Sequence, residues 1–98
     1  MEAVKAYELE TELAKLLELM RTLELKIAEA KEAEAFLRRE GNRRLYRTLS
    51  GLLVEVTREE ALEHVERLKM AYERELKKLR ERKERVEKEL KKLKAPLV

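Results

Sequence analysis

Leu45-Tyr46-Arg47-Thr48-Leu49-Ser50-Gly51-Leu52-Leu53-Val54-Glu55-Val56 is the stretch that decides the fold. Its apolar and β-branched residues recur with a period of two on either side of Ser50-Gly51, a pattern that reads as two strands joined by a short turn. With a two-residue turn, Leu45, Leu49, Leu52, Val54 and Val56 share one face and only Arg47 intrudes. Tyr46, Thr48, Leu53 and Glu55 then form the other face, and a longer turn would shift this assignment. Such a hairpin is marginal in water by itself, and both of its edges present unpaired backbone groups.

On the N-terminal side the period changes. Ala6, Leu9, Leu13, Leu16, Met20, Leu23, Ile27, Ala30 and Leu37 fall at alternating steps of three and four, and Glu34 alone breaks the series. That spacing predicts a helix over about residues 2–40 with a continuous apolar seam of the coiled-coil type. Arg38 and Arg39 suit its negative end, and Gly41 can supply a left-handed terminating residue. On the C-terminal side the same steps recur in Leu62, Val65, Lys69, Tyr72, Leu76, Leu79, Lys83, Val86, Leu90, Leu93 and Leu97. Lys69 and Lys83 are the polar exceptions, of a kind that helps to fix register or snorkels to solvent. Thr57 followed by Glu60 is a capping box that opens this second helix at about residue 58. Lys91, Lys92 and Lys94 favour its C-terminus near residue 94, and Pro96 marks the end.

The two seams are of nearly equal length, and their charges are complementary. Residues 1–37 carry nine Glu against five Lys or Arg, and residues 58–94 carry ten Glu against fourteen Lys or Arg. The reading is therefore mainly α: one domain over 1–98, an antiparallel coiled-coil helical hairpin with a single β-hairpin (45–56) at the bend. Exchange of arms between chains would preserve the same seam contacts. Because the arms spend their apolar residues on each other, they cannot cover the hairpin. Leu45, Leu49, Leu52, Leu53, Val54 and Val56 are thus expected to pair with hairpins of other subunits in a sheet or closed barrel.

Composition agrees with long helices. Charged residues make up 46% of the 98, yet the net charge is only +3, so opposite charges are closely interleaved. Aromatics at 4%, with no Trp, leave little for a compact core. The chain lacks Cys, which removes disulfides and thiolate metal or redox sites. It also lacks Asp and Gln while being rich in Glu, Lys and Arg, a thermophile-like bias. Neither a membrane span nor a signal peptide is evident, and a cytoplasmic protein without cofactors is the expectation.

Catalysis finds no support in these residues. His64 is the single histidine and is expected at an exposed helical position, with no metal site around it. Tyr46, Thr48 and Ser50 lack a recognisable base, there is no phosphate-binding glycine loop, and Glu59-Glu60 is explained by capping. No catalytic or metal residue is assigned. Arg38, Arg39, Arg43, Arg44, Arg47 and Arg58 gather at the bend and define an alternative, nucleic-acid binding, for which no aromatic stacking platform is present. A structural or filament-forming subunit is a third reading.

The stretch from Leu45 to Val56, continued by Thr57-Arg58-Glu59-Glu60-Ala61, resembles the hairpin and second-helix start of archaeal prefoldin β subunits. The heptad arms extend the resemblance over essentially the whole chain. It implies a jellyfish-shaped hexamer whose hairpins form β-barrels and whose arms hang from the body. Partners would be an α-type subunit or further copies of this chain, non-native client proteins and a chaperonin that receives them, with no ATP used in holding. In such a hairpin both termini lie at the distal tip. Met1, Ala3, Val4 and Tyr7 gather there on one side and Leu93, Pro96, Leu97 and Val98 on the other. Of these, Met1, Val4, Tyr7, Leu93, Leu97 and Val98 are the candidate client-binding residues. Frayed terminal hydrophobes are the plainer explanation of the same residues.

Overall fold

Two long helices flank a two-stranded antiparallel sheet in the computed structural model, which describes residues 2–40 and 43–93. Helix α1 (Glu2–Arg39) leads to strands β1 (Leu45–Leu49) and β2 (Leu52–Val56), and helix α2 (Arg58–Leu93) returns along α1. The molecule measures 68 × 26 × 14 Å and has a radius of gyration of 20.2 Å. A compact chain of this length would have a radius near 12.5 Å, about 2.2·N^0.38. The shape is therefore that of an arm.

All nine buried residues among those described lie on the two seams. Leu9, Leu16, Val86 and Leu90 form one cluster, flanked by half-buried Ala6, Leu13, Leu79 and Leu93. Met20, Ile27 and Leu76 form a second, flanked by Leu23, Tyr72 and Leu79. Each such aliphatic side chain, once buried, contributes about 1.5–3 kcal/mol relative to exposure. The seams of α1 and α2 thus cover each other along the hairpin.

Ion pairs record the antiparallel direction. Glu12 accepts two 2.8 Å hydrogen bonds from Arg82. Glu24 approaches Arg80 at 4.0 Å, Glu34 meets Lys69 at 3.1 Å, and Arg38 meets Glu66 at 3.0 Å. Partner numbers fall on α2 as they rise on α1. Lys83, the other polar seam position, turns to Glu87 on its own helix at 3.7 Å.

The helix ends at the bend are closed by side chains. At the start of α2, the Glu60 amide donates to Thr57 Oγ1 at 3.1 Å, and the Thr57 amide approaches Glu60 Oε1 at 3.4 Å, which completes the capping box. At the end of α1, the Arg58 guanidinium donates to the Arg38 carbonyl, one of the orphan acceptors of a helix C-terminus. Gly41, the expected terminator, lies outside the described residues.

Candidate assembly surface and arm tips

The strands pair Leu45 with Val56, Tyr46 with Glu55, Arg47 with Val54, Thr48 with Leu53 and Leu49 with Leu52. Ser50 (φ 48°) and Gly51 (φ 81°) both occupy the left-handed region. That is the primed two-residue turn, whose twist matches that of the flanking strands. Register and turn together put Leu45, Arg47, Leu49, Leu52, Val54 and Val56 on one face.

Only the base of that face is covered. Leu45 and Val56 are half-buried, while the rest of both strands is exposed. Leu49 is 53% exposed, Leu52 70% and, on the opposite face, Leu53 73%. The hairpin touches the arms at a cleft of about 250 Å³, lined by Ala33, Phe36 and Leu37 of α1, by Leu45, Tyr46, Arg47 and Val56, and by Ala61, His64 and Val65 of α2. His64 is half-buried in this cleft, so its expected exposed position is corrected. The heptad pattern places it off the seam; it is the hairpin folding back over the helix that covers it.

The basic cluster at the bend divides in two. Arg38 pairs with Glu66 and Arg43 with Glu40, at 3.0 and 3.4 Å, and Arg58 caps α1. The side chains of Arg39, Arg44 and Arg47 hold no hydrogen bond or ion pair among the described residues.

At the opposite end of the arms, Val4 and Tyr7 are exposed on the first turns of α1. Leu93 closes α2 half-buried against the Leu9 and Leu90 cluster, so part of its surface already belongs to the seam. Met1, Leu97 and Val98 lie outside the described residues. The heptad reading passed over exposed Leu17, Leu19 and Leu25 on the outside of α1 and Met70 on α2. They fall off the seam, and no periodic signal marks them. Among the described residues there is no group of His, Cys, Asp or Glu able to hold a metal ion. Nor is any described helix long and apolar enough to cross a membrane.

A helical hairpin whose bend carries an uncovered apolar β-hairpin defines a class of assembly subunits, and comparison with known proteins places the chain within it. The family model described as "Prefoldin subunit" matches residues 1–97, and the chain belongs to that family. Prefoldin is a chaperone family, and its subunits assemble with one another. Among solved structures, the crystal structure of the prefoldin beta2 subunit from Thermococcus strain KS-1 is similar, with 46% sequence identity and a TM-score of 0.83. The match covers 94% of this chain and 99% of that one. The search of curated proteins returned no match.

Proposed function

We propose that this chain is the β-type subunit of an ATP-independent holdase, assembled through Leu45, Leu49, Leu52, Leu53, Val54 and Val56 of the hairpin. Its arm tips hold non-native polypeptides, which then pass to a chaperonin. The observation that carries this reading is the division of apolar surface. The seam residues are buried or half-buried between the arms, whereas the hairpin beyond half-buried Leu45 and Val56 and the tip residues Val4 and Tyr7 are exposed. Contiguous apolar surface at the bend suits permanent pairing with other subunits, and small apolar groups at the far end suit loose, unselective contact. About 50 Å of coiled coil separates the two, at ~1.5 Å per residue. Client and assembly surfaces therefore do not compete.

Two measurements test it together. Native mass spectrometry compares the wild type with a variant carrying Leu49→Ser, Leu52→Ser and Val54→Ser, alone and with a prefoldin α-type subunit. The expected result is a discrete oligomer in the wild type that falls to monomer or dimer in the variant. The second measurement is suppression of thermal aggregation of a model client without ATP. Val4→Ser with Tyr7→Ser should weaken suppression and leave the oligomer intact. Unchanged suppression in that tip variant would remove the tips from the mechanism. An oligomer indifferent to the hairpin changes would remove the hairpin.

A further inference from the structure

The apolar face of the hairpin has one charged member. Arg47 stands opposite Val54, between the Leu45–Val56 and Leu49–Leu52 pairs, and its side chain has no ionic or hydrogen-bond partner among the described residues. The hairpin's single carboxylate, Glu55, pairs with Tyr46 and so faces the other way. A second copy docked with its apolar face inward, edge to edge or face to face, therefore brings another Arg47 and no hairpin carboxylate. Covering a guanidinium beside a like charge is unfavourable, whereas a carboxylate on a facing strand gives a bidentate pair in a water-poor setting.

We infer that Arg47 is a partner-selecting residue: it weakens self-association of the hairpin and selects a different subunit whose facing strand carries an Asp or Glu on its inward face. Arg44, which immediately precedes β1, is a second guanidinium without a side-chain partner among the described residues at the base of the hairpin. This inference rests on assembly through the hairpin and names the chemistry of the partner.

The test uses the chain as its own probe. Wild type is mixed with an isotope-labelled Arg47→Glu variant, whose substitution lies at an exposed strand position, and oligomer composition is read by native mass spectrometry. Mixed species should exceed random mixing by about tenfold, with the excess shrinking at high salt. Arg47→Met, alone, should self-associate more tightly than wild type. Random mixing of wild type and Arg47→Glu, or equal self-association of wild type and Arg47→Met, would overturn the inference. Salt-sensitive retention of wild type on a single-stranded oligonucleotide, lost in Arg47→Glu, would also overturn it, by making phosphate the ligand of Arg47. Adding Leu49→Ser and Leu52→Ser to both chains separates the two layers. If those changes abolish assembly while mixing is random, the hairpin reading stands and the Arg47 inference falls. If assembly survives them, both fall.

Discussion

Lys69 Nζ lies 3.1 Å from Glu34 Oε2, and both side chains are only about a fifth exposed. Each residue interrupts the apolar seam of its own helix, and the fold brings the two interruptions together. Arg38 Nε, at 4.0 Å from Glu34, adds a second positive neighbour. A pair of this kind contributes little net stability, because desolvation offsets most of the attraction, but a slipped register would leave each charge against aliphatic groups. Glu34→Ala should therefore cost about 1–2 kcal/mol in urea denaturation, through the Lys69 ammonium left behind. Glu34→Leu with Lys69→Leu should melt at the same temperature or higher, yet show more than one register as heterogeneous amide exchange around Ile27 and Leu76. A single exchange pattern in that double variant would remove the register role.

Burial separates the apolar residues of the arms into those that stabilise and those that do not. Leu76 is 5% exposed and packs with Met20 and Ile27, whereas Leu25 is 60% exposed on the outside of α1. Leu76→Ala should destabilise by about 2–4 kcal/mol, combining the transfer loss with the cavity left behind. Leu25→Ala should change stability by no more than about 0.5 kcal/mol. Equal effects in thermal denaturation would mean that Leu25 is covered in solution, for example by another subunit.

The start of α2 depends on a hydroxyl. Thr57 Oγ1 accepts from the Glu60 amide at 3.1 Å, so Thr57→Ala should cost about 1 kcal/mol and Thr57→Ser much less. Circular dichroism with urea titration reads the difference. Equal stability of the Ala and Ser variants would show that other groups satisfy the first turn of α2.

The turn is strained at one of its two positions. Ser50 has a positive φ although it carries a side chain, whereas at Gly51 an added Cβ would meet nothing within 4 Å. Asn tolerates the left-handed region better than Ser, so Ser50→Asn should stabilise the hairpin by about 0.5 kcal/mol. Gly51→Ala should destabilise it by about 1 kcal/mol through backbone conformation alone, since no clash exists. Amide exchange of the β1 and β2 residues measures both. A destabilising Ser50→Asn would show that the Ser50 hydroxyl has a role beyond the turn.

Much of this architecture is legible in residue order because it is local or periodic. A 3–4 spacing puts Leu9, Leu16, Met20 and Ile27 on one stripe whatever the partner, and all nine residues buried among those described fall on the stripes so identified. The Thr57–Glu60 cap is a contact over three residues, readable as a motif. The faces of the hairpin follow from alternation once the turn is two residues long, and the two positive φ values supply that length.

Relations between distant segments are a different matter. Periodicity marked Glu34 and Lys69 as defects of separate helices; it could not say that the fold would bring these residues, 35 positions apart in the chain, to 3.1 Å. Nor could it place His64 in the cleft under Leu45 and Val56, or put the Arg58 guanidinium on the last turn of α1. A repeat pattern specifies which way a side chain points from its own axis, and that much the sequence determined unaided. Which side chain it then meets depends on the register between two helices and on the angle at which the hairpin leaves the bend. Only the packed structure sets those quantities, because they come from the joint fit of all the seam residues and from no single one of them.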